Sequence, residues 1–390
     1  MFQNRDIIIF GDDWGRHPST IQHITSVLSK SNRILWVSSL GLRSPRFRFY
    51  DLKRIIDKFA KIVSTTPRHL NHNNITELHP FIFPFYDIRI VRWLNNILLK
   101  RKILLKIREL NFSDVILLVS TPVACDIVGT LQEKSSYYLC FDDYNRFDNV
   151  YRSLNEMENK ILNRVDGSFA VSDILLQTRQ CKTGENYFLP QGVEVEHFQR
   201  PSGVIPVPML NIKKPIVGFF GLITTWVDLD LVFKCAKTYP SVSFVLIGRA
   251  TVDMGKYSGL GNFIYLGEVA YEYLPEYARL FDVGIVPFIL NELTIASNPI
   301  KILEYLALGL PVVSTNLPEA RKFGDSILIA ENDNEFISLI GIALQRNSLE
   351  EKEERRMKAR KYSWDAIGDL LSQKIQEIEN KKLSNQKIIG

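Results

Sequence analysis

Short apolar runs alternate along this chain with stretches in which apolar positions return every third or fourth residue. A run of the first kind reads as a strand buried on both faces, and the second kind reads as an amphipathic helix. In the first half the strands are expected at Asp6–Phe10, Arg33–Val37, Asp114–Ser120, Tyr137–Phe141, Gly167–Val171 and Asn186–Leu189. In the second half they are expected at Ile216–Phe220, Val242–Ile247, Phe263–Leu266, Val283–Val286, Pro311–Ser314 and Ser326–Ile329. Strands alternating with helices predict parallel sheets covered on both faces, an α/β architecture.

Between the two series lies Gln199–Pro215, which holds Pro201, Pro206, Pro208 and Pro215 and shows little periodicity. Proline removes backbone donors and fixes φ, so the segment reads as a linker. The expected division is residues 1–198, a linker at 199–214, a second domain at 215–363, and a closing segment at 364–390. That last segment predicts a helix from Trp364 to Glu379 reaching back to the first domain, then a frayed polar tail from Lys381. Two doubly wound domains facing across a cleft is the expected fold. Ligands of open α/β sheets bind beyond the carboxyl ends of the strands, at switch points in strand order, so loops after strands carry most functional weight.

Composition narrows the class. The chain has 390 residues, 46% apolar and 23% charged, which is ordinary for a globular protein and excludes collagen-like or disordered chains. Cys125, Cys140, Cys181 and Cys235 are scattered, with no Cys-x-x-Cys pair, so neither a disulfide framework nor structural zinc is expected. No metal site is expected elsewhere either. The start, Met1 to Asp6 before a short apolar run, has no signal-peptide pattern, and no stretch reaches the ~20 apolar residues that span a bilayer. A cytoplasmic protein is the expectation. The formal net charge is +5, yet residues 41–110 alone carry 15 Lys/Arg against 5 Asp/Glu. Such asymmetry predicts that one domain meets an anionic surface.

In the second half, Ser297-Asn298-Pro299 precedes the amphipathic stretch Ile300–Leu308. Asn298 before Pro299 at a first helical position is a helix start, and its amides with the helix dipole suit a diphosphate. Lys301 adds a cation in the first turn, and Glu304, one turn on, can accept the hydroxyls of a ribose. The same residues also fit a capped surface helix with a solvated Lys–Glu pair. What favours a site is company: Gly218-Phe219-Phe220-Gly221-Leu222, Ile247-Gly248-Arg249, Gly267-Glu268-Val269 and Pro287-Phe288 all close strands and converge on one rim. Glycines there let a ligand approach the backbone.

These motifs, with Asp282-Val283-Gly284-Ile285-Val286-Pro287-Phe288 and Lys301-Ile302-Leu303-Glu304-Tyr305-Leu306-Ala307-Leu308-Gly309-Leu310-Pro311, resemble the C-terminal domain of GT-B glycosyltransferases that assemble bacterial surface polysaccharides. The resemblance covers roughly residues 215–375. It implies a GT-B fold and a nucleotide-sugar donor, UDP-linked, with no cofactor beyond it. Lys301 and Glu304 then face the donor diphosphate and ribose, with Gly221 against the donor and Asn298 at the head of the helix. Retaining members carry a Glu-x7-Glu pair whose first Glu falls at Ala296 here, while Glu292 stands four residues too early. That departure points away from the retaining enzymes.

The first half offers Ile7 to Ser19, a buried strand running into Asp12, Asp13, Arg16 and His17, and a second loop with Asp142 and Asp143 after Cys140-Phe141. Sugar transfer needs a base for the acceptor hydroxyl, and a carboxylate at a strand end can be tuned for it by burial. Each of these aspartates also fits a helix or turn cap. Asp13-Trp14-Gly15-Arg16-His17-Pro18 and the Tyr138-to-Asp142 segment are similar to the membrane-associated glucuronosyltransferases of xanthan assembly and their teichuronic-acid relatives. There an aspartate on the corresponding loop is the base of an inverting reaction, which the alignment puts at Asp142, with Asp143 close behind. Asp13, Arg16 and His17 fall on the acceptor side. Arg249 or Arg16 suits a carboxylated sugar.

Arg43 to Phe49 and Arg89 to Lys106 interleave basic with aromatic and aliphatic residues, which predicts peripheral contact with an anionic membrane surface. No nucleic-acid module accompanies the charge. The reading is a hexosyltransferase acting on a lipid-linked saccharide at the inner face of the cell membrane. Alternatives are a nucleotide-sugar epimerase on the same fold and a non-catalytic, transferase-like scaffold.

Overall fold

The computed structural model describes residues 2–15, 18–38, 41, 74–147, 149–200 and 204–389. It divides into two compact units, Met1–Leu189 with Ile367–Gly390, and Pro190–Ala366.

The first unit is built on a seven-stranded sheet in the order β3-β2-β1-β4-β5-β6-β7. These are β1 Asp6–Phe10, β2 Arg33–Val37, β3 Ile75–Leu78, β4 Ile116–Val119, β5 Ser135–Cys140, β6 Gly167–Ala170 and β7 Glu185–Phe188. Every pair is parallel, with β1 between β2 and β4, so that Ile7 sits level with Ile34 on one side and Ile116 on the other. Ile7, Ile8, Ile9 and Phe10 are fully buried. At about 1.5–3 kcal/mol for each large apolar side chain taken out of water, that one strand anchors the sheet. Chain order reverses between β1 and β4, and the loops after β1, β4 and β5 therefore gather at the switch point.

The second unit has a six-stranded parallel sheet, β10-β9-β8-β11-β12-β13. Its strands are β8 Ile216–Phe220, β9 Ser243–Ile247, β10 Phe263–Tyr265, β11 Val283–Val286, β12 Val312–Thr315 and β13 Leu328–Ala330. The switch point here lies between β8 and β11.

Five sequence expectations are corrected. Ile75–Leu78 is a strand that periodicity missed, because only its two end residues are buried and the half-buried Thr76 and Glu77 between them belong to an edge strand rather than a buried run. β5 begins two residues early, at Ser135, where both serines are buried. The first unit ends at Leu189, not 198: residues 190–198 pack with the second unit, where Val193 N donates to Tyr362 O at 2.9 Å and Phe198 stacks near Phe220. The expected linker also contains the end of a short helix, Val195–Gln199, and a turn of 3-10 helix at Val207–Met209. Finally, the closing helix runs Trp364–Ile389 and is not frayed from Lys381. Lys381 and Lys382 pair with Glu185 at 2.9 Å and Asp166 at 2.6 Å, which ties the polar turn to the edge of the first sheet.

Candidate active site

In the second unit, β8 turns at Gly221, with φ at 145°, and β9 turns at Gly248, with φ at 138°. A Cβ on Gly248 would fall 1.8 Å from the Gly221 carbonyl oxygen, and one on Gly221 would stand 3.2 Å from Lys301 Cε. Only residues without side chains let these loops lie this close. Gly221 N donates to Ile247 O at 2.9 Å and Gly248 N to Gly267 O at 2.7 Å, which fixes three strand ends side by side.

Against this rim stands the helix Ile300–Leu308. It follows β11, the other strand of the switch point. Pro299 is its N-cap, with ψ at 106° and no side-chain capping bond, rather than its first helical residue as the sequence suggested. Proline brings no donor of its own, so the first-turn amides keep their anion-binding capacity without a side chain occupying it. Asn298 precedes the cap, and Ser297 Oγ turns back to donate to Thr294 O at 2.7 Å, closing the short helix Glu292–Ile295. Ala296 is buried, and Glu292 is exposed in the first turn of that short helix. No carboxylate therefore stands where the retaining pair would begin.

Lys301 Nζ lies 2.6 Å from Glu304 Oε2 and 4.7 Å from the Phe220 ring centroid. Glu304 is 3% exposed and Lys301 20%. A buried carboxylate needs a partner, and Lys301 supplies it; an incoming anion competes with Glu304 for that ammonium. Burial and the charges of Glu304 and Glu194 hold the Tyr271 hydroxyl protonated, and it donates to Glu194 Oε2 at 2.8 Å. Arg249 is exposed, and its carbonyl accepts from Ile223 N at 3.0 Å. The structure thus brings Gly221, Lys301 and Glu304 into one cluster and leaves the Arg249 side chain at the surface. A cavity of about 550 Å3 on the same unit, lined by Val204, Pro206, Glu268, Tyr273 and Tyr277 among others, includes none of these residues.

In the first unit, β5 delivers Asp142 and Asp143. Desolvation first, and the neighbouring charge of Asp143 second, push the Asp142 carboxyl up to about 7, although the residue keeps part of its surface in solvent. Asp143 holds the N-cap position of the 3-10 turn Tyr144–Arg146 but makes no side-chain capping bond: its Oδ1 accepts from Arg179 Nη2 at 2.8 Å, and its Oδ2 lies 3.8 Å from Arg146 Nε. After β1, burial raises the pKa of Asp12, against the hydrogen bond from Gln22 Nε2 to its Oδ1 at 2.7 Å. Gln22 Nε2 also donates to Asp13 O at 3.2 Å. Asp13 itself is exposed. Arg16 and His17 lie outside the described residues, as does Arg43 to Phe49. Sequence reasoning missed Tyr138, Glu158 and Arg179, which surround the aspartates. The one available signal was Glu158 itself, a carboxylate on the apolar stripe of the helix Leu154–Leu162.

Two parallel-sheet Rossmann-like units are the architecture of the GT-B class. Residues 214–345 match the family described as "Glycosyl transferases group 1". That match takes in the six strands of the second sheet and the helix that bears Lys301. It is 29% identical over 228 residues to the Bacillus subtilis (strain 168) protein named "Putative teichuronic acid biosynthesis glycosyltransferase TuaH", a match spanning 55% of this chain and 57% of that relative. Among solved structures it resembles sucrose-phosphate synthase from Thermosynechococcus elongatus, with a TM-score of 0.67, 12% identity and coverage of 96% and 99% of the two chains. It also resembles Anabaena HepE, solved with UDP-glucose, with a TM-score of 0.66, 13% identity and coverage of 95% and 99%. Identities this low speak to the fold alone. Among the described residues no helix is long and apolar enough to cross a membrane.

Proposed function

We propose that this chain transfers a sugar from a UDP-linked donor to a lipid-linked saccharide in surface-polysaccharide assembly, with inversion at the anomeric carbon. The observation that carries the reading is the pairing of Gly221 with the uncapped helix start and Lys301 at one switch point. The first-turn amides and Lys301 take the diphosphate, and Glu304 is placed for the ribose. Asp142 accepts the proton of the acceptor hydroxyl as its oxygen attacks the anomeric carbon; the bond to the diphosphate breaks, and Lys301 and the helix dipole stabilise the leaving group. A carboxyl titrating near 7 is matched to that task. The chemistry asks for no metal, since a lysine and a helix N-terminus balance the leaving charge.

The acceptor's lipid anchor fits a second feature. The helix Arg89–Glu109 buries Asn95, Leu99 and Ile103 and exposes Ile90, Trp93, Leu94, Ile97, Leu98 and Leu105 on its opposite side. Arg101 interrupts that stripe and Arg89 and Lys102 flank it, the pattern of a helix lying on an anionic bilayer.

The test is transfer from UDP-sugars to a lipid-linked saccharide, with the product's anomeric configuration read by NMR. An α-linked donor giving a β product is expected. An α product overturns the inverting mechanism, and an isomer formed without acceptor replaces the transferase with an epimerase. In calorimetry, Lys301→Ala weakens UDP binding about tenfold or more, the worth of one charge-assisted hydrogen bond; unchanged affinity removes the donor-site assignment, and no nucleotide binding by the wild type leaves only a scaffold.

A further inference from the structure

Behind the Asp142–Asp143 loop, the first unit buries a chain of polar groups that its apolar core does not require. Glu158 is 1% exposed, on the same helix face as Leu154, Met157, Ile161 and Leu162. An isolated carboxylate there costs several kcal/mol, so it is kept only if donors surround it. Three do. Tyr138 Oη donates to Oε1 at 2.7 Å, while Asn145 Nδ2 and Arg179 Nε each donate to Oε2 at 2.9 Å. Burial raises the Glu158 carboxyl, and Arg179 and Tyr138 work against that rise.

Arg179 then reaches the other way, and its Nη2 donates to Asp143 Oδ1 at 2.8 Å. One planar guanidinium bridges two carboxylates, which a lysine's single ammonium cannot match in geometry. Asp142 takes none of these donors. Two adjacent carboxyls left to themselves share a proton and titrate as a pair.

We propose that Arg179, anchored by Glu158, is a positioning residue that pins the Asp143 side chain beside Asp142, leaving Asp142 as the one carboxyl of the pair that exchanges a proton with the acceptor. The inference rests on Asp142 being the base. The titratable groups about the Asp142 loop are Asp143, which acts on Asp142 itself, Cys140 and Tyr144 on the same segment, Arg146 against Asp143, Glu158 from the helix Leu154–Leu162, Arg179 just past the short helix Asp173–Thr178, and Asp12 from the loop after β1. Burial pushes Cys140 and Tyr144 well up and keeps them neutral. Among the described residues Arg179 is the nearer of the two cations paired with Asp143, at 2.8 Å against 3.8 Å for Arg146. Removing it lets Asp143 compete for the proton and delays the final deprotonation to higher pH.

The experiment is the pH profile of kcat in the full chain for Arg179→Met and Arg179→Lys, each made also in an Asp143→Asn background, with UDP affinity measured in parallel. Expected for both is a fall in kcat at pH 7 of about tenfold or more, an ascending limb moved up by about one pH unit, and unchanged UDP affinity. In the Asp143→Asn background the same substitutions leave the limb where it is, because the group Arg179 acts through is gone. Arg179→Lys keeps a cation against Glu158 and so guards against a variant lost to misfolding. A limb that stays put in both variants, or moves equally in both backgrounds, overturns the positioning role. Asp142→Asn separates the two ideas: if it retains transfer, the base assignment fails; if it is inactive while the Arg179 limb does not move, only the positioning role fails.

Discussion

Lys301 and Glu304 were legible as residues because three positions on a helix put them on one face, and Gly221 because a strand ended there. What could not be read is that the two side chains pair at 2.6 Å, with the Lys301 ammonium 4.7 Å from the Phe220 ring centroid. Asp142 was legible as a carboxylate at a strand end, but its proton affinity was not, since desolvation depends on atoms brought in from distant segments. That affinity has a stability consequence. The folded-state pKa is about 7 against 3.8 for a free aspartate carboxyl, so the residue's contribution is fully present below about 4 and is lost as the pH rises through 7. Asp142→Asn, which mimics the protonated form at every pH, is therefore more stable than the wild type at pH 8, by on the order of 3 kcal/mol, and not at pH 4. Chemical denaturation at the two pH values checks this; a difference that does not change with pH contradicts it.

Among elements, the helix Arg89–Glu109 separates packing from exposure most clearly. Its buried line and its exposed apolar line lie on opposite sides, and the sequence shows only that both are apolar. Leu99→Ala on the buried side lowers stability by about 2–4 kcal/mol through the cavity it leaves. Trp93→Ser with Leu94→Ser on the other side leaves the melting temperature nearly unchanged and lowers binding to vesicles containing anionic lipid about tenfold in a sedimentation assay. Equal loss of stability from both changes means that the outer line is packed; retained vesicle binding removes the membrane reading. The strand elements were mostly legible, since buried runs announce themselves. β3 was not, because a four-residue edge strand with Thr76 and Glu77 at its centre looks like polar loop.

At the scale of the molecule, the closing helix belongs to the first unit from Ile367 onward. Glu379 pairs with Arg5 at 3.0 Å and accepts from Ser135 Oγ at 3.2 Å, so the chain's last elements hold its first strand and β5. Truncation after Ile375 removes these contacts. The expected result is faster hydrogen exchange across β1, β5 and β6, with the second unit's exchange and its UDP affinity unchanged. Uniform loss across both units means that the helix stabilises more than the sheet it touches.

The sequence by itself determined the two parallel sheets, the strand ends that bear the glycines, and the candidate donor residues, because buried strands and strand-to-helix turns are local patterns of three to ten residues. The resemblance to the retaining enzymes, rather than any local pattern, marked Ala296 as the place where their first glutamate is missing. Only the tertiary structure decided where the units divide, since residues 190–198 follow packing rather than composition. It also decided that Asp143 is clamped while Asp142 is not, because Glu158 and Arg179 come from helices that only folding brings behind the β5 loop. Charge separation of that kind has no local signature: it arises from which side chains share a buried volume, and a linear pattern does not carry that information.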